Sequence, residues 1–381
     1  MLTEIELENF KSHRSTPLIL DESRLHALVG QNSSGKTSVL QALHYMSSLT
    51  RSPFSSIFQY DHSPQFLTTI GKDNMSVIAR GFWGYKNCKN WQFSYNWERT
   101  NTDDWTPRIS WDVENIDNTI SGWKIHLMKE LEPDPSSIIN SLKYEVYLKL
   151  ISSNLARPAY SDELRPRVEF DGYGLAPTLD YLRTEAPDRF QEVQDKLKRI
   201  VPGVQKIDVR RAKVNINRQR SIEVNGKFIS YEESQEMTGQ EVVLDMNTGD
   251  RIPAHSMSEG TILSLGLLTV LMNPNQPNLI LLDDIEQGLH PKAQRELMTV
   301  FKEILEDNPN LQIIFSTHSP YIIDELQPSQ VHIMSNSYSG FTSCKRLDEH
   351  PDIEWAINSL TTGEFWGAEG EEWVLPGEVS V

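Results

Sequence analysis

The sequence predicts an α/β fold with a mixed β-sheet core, and three observations carry that prediction. The stretch Gly30-Gln31-Asn32-Ser33-Ser34-Gly35-Lys36-Thr37 fills the pattern G-x-x-x-x-G-K-[ST]. An apolar run at 25–29 precedes it and reads as a buried strand, while Val39, Leu40, Leu43 and Met46 follow at helical spacing. From Ser258 onward helix and strand alternate: helix 261–272, strand 279–282, helix 291–305, strand 313–315. That is the βαβ rhythm of a parallel sheet.

The remaining elements follow in chain order. Ile5, Leu7 and Phe10 suggest an opening strand, and Leu18, Leu20, Leu25 and Leu28 suggest the strands that lead to the glycine-rich loop. The helix after Lys36 should end near the breaker pair Ser52-Pro53. Alternation in 75–97 (Val77, Ala79; Phe93, Tyr95, Trp97) predicts antiparallel strands. Residues 101–135 are polar, aromatic and poor in periodicity, so a loop-rich insertion is expected there. Tyr144, Val146, Leu148 and Leu150 alternate as one more strand, and Phe190, Val193, Leu197 and Ile200 fit an amphipathic helix between Pro187 and Pro202. Residues 209–231 read as strands turning at Asn225-Gly226. No heptad pattern runs between the loop and Ser258, so no coiled-coil arm is expected. The expected organisation is an N-terminal part of the core (1–100), a middle insertion forming a helical and hairpin lobe (101–235), a C-terminal part of the core (236–345) and an acidic aromatic tail (346–381).

Composition narrows the function classes. The chain has 381 residues, enough for one large or two ordinary domains. Its two cysteines, Cys88 and Cys344, are too few for a disulfide framework, which fits a reducing cytoplasm. No apolar run approaches membrane-span length, and no membrane association is expected. A formal net charge of −17 sets the surface as a whole against nucleic acid. One local exception lies at 196–227, where Lys198, Arg199, Lys206, Arg210, Arg211, Lys213, Arg218 and Arg220 gather. It reads either as a DNA-binding face or as a solvated hairpin face.

Strand, loop and helix together make a phosphate cradle. Successive backbone N–H groups and a positive helix N-terminus converge on an anion, with residues Gly30 to Ser38 (Gly30, Gln31, Asn32, Ser33, Ser34, Gly35, Lys36, Thr37, Ser38) as the binding set. Lys36 is suited to the β/γ-phosphates of ATP and the Thr37 hydroxyl to Mg²⁺. Leu279-Ile280-Leu281-Leu282-Asp283-Asp284 is four apolar residues ending in two acids, a Walker B pattern that delivers Asp283 to the metal. Asp284 or Glu286 then falls where an attacking water could be polarised. A further apolar strand ends in Ser316-Thr317-His318-Ser319-Pro320, and His318 could report a γ-phosphate by a hydrogen bond. Ser258-Glu259-Gly260-Thr261 opens the apolar helix 262–272 with a hydroxyl, a bare backbone and a helix N-terminus.

Together these segments resemble the ABC-type ATPase heads of the SMC, RecF and OLD families, P-loop NTPases with an antiparallel β lobe and a helical lobe. Glu8-Asn9-Phe10-Lys11-Ser12-His13 is similar to their N-terminal strand and turn, which implies that Lys11, Ser12 and His13 approach the nucleotide. Ser258, Glu259 and Gly260 look like the shortened signature motif, and residues 283–291 look like the Walker B and D-loop of OLD-like ATPases. Thr362-Gly363-Glu364-Phe365-Trp366-Gly367 resembles a C-terminal element of the small AAA-family ATPases of bacterial anti-phage systems. The resemblance implies a homodimer or higher oligomer formed around ATP, with the signature of one subunit completing the site of the other. It implies a sensor or scaffold that controls a separately encoded effector, with a nuclease expected. A RecF-like repair ATPase that binds DNA is the alternative, and a non-enzymatic module with a vestigial site is a third reading. A glutamine linking metal and middle lobe is implied too, with Gln59 and Gln65 both open. One departure stands out: those families most often carry Asp-Glu where this chain has Asp283-Asp284. The shorter Asp284 implies slow hydrolysis, with ATP acting mainly as a clamp.

Overall fold

The computed structural model describes residues 1–57, 63–83, 89–101, 104–113, 116–122, 124, 135–142, 144–224, 227–274 and 277–375. The chain divides into two compact units. One comprises Met1–Tyr147, Pro277–Glu286 and Phe301–Val381, the other Leu148–Gln276 and Gln287–Val300.

The first unit begins with β1 (Leu2–Phe10), β2 (His13–Ile19) and β3 (Leu25–Gly30), continues through β4 (Asn74–Trp83), β5 (Lys89–Asn101), β6 (Asp104–Val113) and β7 (Ile116–Ser121), and reaches β8 (Glu145–Leu148) at its border. Strands β9 (Val204–Val224), β10 (Lys227–Met246) and β11 (Arg251–Pro253) belong to the second unit, and β12 (Leu279–Leu282), β13 (Gln312–Thr317), β14 (Val331–Asn336) and β15 (Thr342–Arg346) return to the first. Two six-stranded sheets result, in the orders β2-β1-β4-β5-β6-β7 and β15-β14-β3-β13-β12-β8. The first sheet is antiparallel throughout. In the second, β12, β13, β3 and β14 run parallel and β15 turns back on β14.

The helix Lys36–Ser48 buries Val39, Leu40, Ala42, Leu43 and Met46 in one core with Ile5 and Leu7 of β1, Phe93 and Tyr95 of β5, and Leu281 and Ile314 of the parallel strands. The Tyr95 hydroxyl donates to the Ala42 carbonyl at 3.0 Å, so even the polar end of that ring is satisfied inside. This packing fixes the helix axis, and therefore the aim of its N-terminus.

Two expectations are corrected. The stretch expected to be loop-rich contains β6 and β7: Pro107, Ile109, Trp111 and Val113 point inward while Arg108 is exposed. Period-two alternation is present, but aromatic and polar residue types mask it. The first helix ends at Ser48, short of Ser52-Pro53. The Thr50 hydroxyl takes the Ser47 carbonyl at 2.7 Å and competes for a helix acceptor.

In the second unit the helices Leu175–Glu185, Pro187–Ile200 and Glu259–Leu271 bury Leu179, Leu182, Val193, Leu197 and Leu268. Strands β9 and β10 pair antiparallel from Val204 opposite Met246 to Val224 opposite Lys227, and β11 joins only the inner end of β10 at Val243, Leu244 and Asp245. The hairpin is longer than the sequence pattern indicated. Its expected turn, Asn225-Gly226, lies outside the described residues, as do Cys88 and Gln59. Among the described residues no helix is long and apolar enough to cross a membrane.

Candidate nucleotide site

The site grows from the end of β3. Gly30 has φ +149°, and a Cβ there would come within 2.0 Å of the Met334 carbonyl oxygen on β14. Gly35 has φ +100°, and a Cβ there would meet His13 Nε2 at 2.6 Å and Thr342 Oγ1 at 2.7 Å. Both glycines are therefore dictated by close approach as well as by the left-handed backbone. Between them Gln31, Asn32 and Ser33 are exposed and Ser34 is buried.

The loop is held from behind by its carbonyls. Ser33 O accepts from Asn336 Nδ2 at 2.8 Å, Ser34 O from Thr342 Oγ1 at 3.0 Å, and Gly35 O from His13 Nε2 at 3.1 Å. A carbonyl can only accept, so His13 carries its proton on Nε2. Burial lowers the His13 pKa to about 4, opposed by the Gly35 hydrogen bond, and the ring is neutral at pH 7. Ser12 Oγ lies 2.7 Å from Thr342 Oγ1, and Lys11 Nζ donates to Gln41 Oε1 at 2.5 Å. Of the N-terminal trio, Ser12 and His13 thus brace the loop and Lys11 ties to the helix behind it. Thr342 and Asn336, some three hundred residues away, carried no local sequence signal.

Lys36 is buried, with Nζ donating to Gly30 O and Gln31 O at 2.8 Å each. Burial lowers its pKa; Asp284, Asp283, Glu286 and Glu371 pull the other way. Thr37 Oγ1 lies 3.1 and 3.0 Å from the two oxygens of Asp283 at the tip of β12. Ser316, on neighbouring β13, donates to Asp283 Oδ1 at 2.6 Å and accepts from Asp284 N at 2.8 Å. This bridge was not assigned a role from sequence, although Ser316 heads the histidine loop. Asp284 adopts φ +57°, a left-handed conformation that Asp tolerates better than most side chains. Glu286 accepts from Thr317 Oγ1 at 2.8 Å and from His318 N at 2.7 Å, so both its oxygens engage the histidine loop. His318 is half-buried, and Ser38 lies half-buried in the first helical turn.

The residues fit a magnesium–nucleotide group. An open row of loop amides, a helix N-terminus, an ammonium group and a hydroxyl–carboxylate pair match the donor chemistry of phosphate and Mg²⁺. No group of three or more His, Cys, Asp or Glu suited to a metal occurs among the described residues. Thr37 and Asp283 would therefore share Mg²⁺ with phosphate oxygens rather than cage it.

Ser258 caps the helix Glu259–Leu271, accepting from Thr261 N at 3.3 Å. Glu259 Oε1 accepts from Ser152 Oγ at 3.0 Å. Gly260 presses on Gly288, where an added Cβ would come within 2.4 Å of the carbonyl oxygen. Ser258 and Glu259 remain exposed. Gln65 is exposed in the turn Pro64–Phe66.

A retron ATPase from Vibrio cholerae serotype O1 biovar El Tor, named "Retron Vc95 probable ATPase", is 30% identical over 107 residues, covering 24% of this chain and 20% of that protein. The match thus spans about a fifth of the curated relative's length. Two solved SMC heads share the fold. One, bound to the C-winged helix domain of ScpA, has TM-score 0.57, 13% identity and coverage of 93% of this chain and 99% of the other. The second is a head with an extended coiled coil bound to the C-terminal domain of ScpA derived from Pyrococcus furiosus, with TM-score 0.53, 14% identity and coverage of 94% and 99%. Residues 25–324 match the family model described as "AAA domain, putative AbiEii toxin, Type IV TA system". With that match covering most of its length, this SMC-head-like P-loop chain belongs to the AAA-domain family so described.

Proposed function

We propose that the protein is an ATP-binding, slowly hydrolysing ATPase that dimerises around ATP and controls a separate effector, with a nuclease the expected class, in anti-phage defence. The observation that carries the nucleotide reading is the hydrogen-bonded set Lys36, Thr37, Asp283 and Ser316 at the mouth of a braced P-loop. The defence role is supported by the family and by the retron relative. When bound, Mg²⁺ and ATP supply the electrophilic phosphorus and the charge that the loop amides are arranged to meet.

The chain's own residues divide the remaining work. Lys36 exchanges its bonds to Gly30 O and Gln31 O for phosphate oxygens. Thr37 and Asp283 hold the metal, and Ser316 keeps the Asp283 carboxylate in line. Asp284 polarises the attacking water from a short side chain, which favours slow turnover. Glu286 is committed to Thr317 and His318 N, so it orients the histidine loop. Ser258, exposed at a helix N-terminus, and the Gly260 backbone behind it complete the site of a second copy. Light scattering after gel filtration tests the core of this reading. Wild type should shift from monomer to dimer with MgATP, and Lys36→Ala should not. A wild type that stays monomeric at saturating ATP rejects the dimer. Loss of phage protection in cells carrying Lys36→Ala, with an intact neighbouring effector gene, tests the defence role.

A further inference from the structure

The C-terminal segment returns to the phosphate loop. Its acids have distinct employments: Glu364 closes a capping box with Thr361 on the helix Thr362–Glu369, and Glu369 lies 3.6 Å from His350 Nε2. Among the described residues of the segment, Glu371 is the acid turned to the loop: its Oε2 lies 3.4 Å from Gln31 Nε2, and the residue is only 9% exposed. Gln31 is the second residue of the P-loop, and its carbonyl is one of the two that hold the Lys36 ammonium. A carboxylate is therefore sequestered beside the loop that the sequence dedicates to polyphosphate. A phosphate at the loop and this carboxylate would repel each other, with little water on the buried Glu371 side to screen them.

The same segment reaches the histidine loop. Gly363 N donates to Asp324 Oδ1 at 2.9 Å, and Thr362 Oγ1 donates to Leu326 O at 2.9 Å. Gly363 sits so close to the turn Pro320–Ile323 that an added Cβ would approach the Pro320 carbonyl oxygen to 2.2 Å. Pro320 is two residues beyond His318. Between these attachments His350 is sandwiched edge-on by Phe365 at 4.9 Å and Trp373 at 4.8 Å between ring centroids. The docking is incomplete in one respect. The buried indole N–H groups of Trp366 and Trp373 lack a hydrogen-bond partner among the described residues. Lifting the segment would release both to water, so detachment is less costly than for a fully satisfied element.

We propose that residues 361–375 form a strap that closes the P-loop against polyphosphate and is lifted from it by nucleotide, so that occupancy at Gln31 is passed through Gly363 to the loop carrying His318. The proposal rests on the reading of this site as an ATP site. Glu371→Gln tests it, because the amide keeps an oxygen for Gln31 Nε2 and removes only the charge. Isothermal titration with MgATP should give about threefold or greater tightening in the variant. Hydrogen exchange of the wild-type chain should show faster amide exchange across 361–375 when MgATP is added, and no such change in Lys36→Ala. Unchanged affinity in Glu371→Gln, or equal or slower exchange of 361–375 with MgATP, overturns the strap. Absence of any MgATP heat in wild type instead removes the ATP reading together with the strap, so the two failures are distinct.

Discussion

Ser316 shows how one hydroxyl can serve two strands. It donates to Asp283 and accepts from the Asp284 amide, so the Asp283 carboxylate and the left-handed turn after it depend on the same atom. Asp283 is only 6% exposed and tolerates its charge through the Ser316 and Thr37 hydroxyls. Ser316→Ala leaves a carboxylate oxygen short of a donor and the Asp284 N–H short of its acceptor. The expected stability cost is about 1–3 kcal/mol. Urea denaturation measures that directly. Because Asp283 loses its alignment, the Mg²⁺ concentration needed for half-maximal ATP binding should also rise about tenfold, the equivalent of ~1.4 kcal/mol. A variant that is destabilised with unaltered Mg²⁺ dependence would make Ser316 a purely structural bridge.

Among the elements, β14 and the β9–β10 hairpin invite separate tests. On β14, His332 is fully buried with Nδ1 unpartnered and Nε2 3.5 Å from His26 Nδ1 of β3, with Asp21 and Arg346 the charged groups acting on the pair. Burial lowers the His332 pKa to about 3 and lowers that of His26. In the unfolded chain these rings take up protons near pH 6.5, while the folded protein refuses them, so unfolding binds protons and stability falls on acidification from about 6.5 toward 3. His332→Leu should flatten that slope by up to one proton's worth, about 1.4 kcal/mol per pH unit, in denaturation at pH 4.5–6.5. Lys213 pairs with Glu236 at 2.8 Å and Arg210 with Glu241, so positive charge on β9 meets acids on β10. The side chains of Arg218 and Arg220 lie outside the described residues. These two cross-strand pairs weaken the field that part of the patch would offer a phosphate backbone, and duplex DNA should show no anisotropy change at about 0.15 M salt. Tight binding that weakens steeply with salt would restore the repair reading. Sequence made the parallel strands legible because Leu279–Leu282 and 313–315 are continuous apolar runs, and it made the first helix legible by its spacing. It hid β6, whose alternation is written in Pro, Trp and Ser, and the acids of β10 that pair across strands only after register is set.

At the scale of the whole molecule the part of the candidate site proposed from sequence is what is contiguous there: Gly30 to Ser38, Asp283 and His318. The bracing by Thr342 and Asn336 and the approach of Glu371 are tertiary facts with no periodicity to read. The arrangement that remains to be tested is how many chains make one site. If Ser258 and Gly260 serve a second copy, a signature defect and a P-loop defect reside in different halves of each site. Ser258→Arg places a bulky cation at an exposed helix cap and should cost no more than the cap itself, about 1 kcal/mol, which thermal denaturation checks. Lys36→Ala removes the phosphate ammonium. Each variant alone should hydrolyse ATP negligibly, against a wild type turning over below ~1 s⁻¹. Mixed in equal amounts, each mixed pair of a two-fold assembly carries one intact site of two, so activity should return to a measurable level no higher than about half of wild type. Full activity of Ser258→Arg by itself would remove Ser258 from the site, and a folded but silent mixture would place the signature and the P-loop of each site in the same chain.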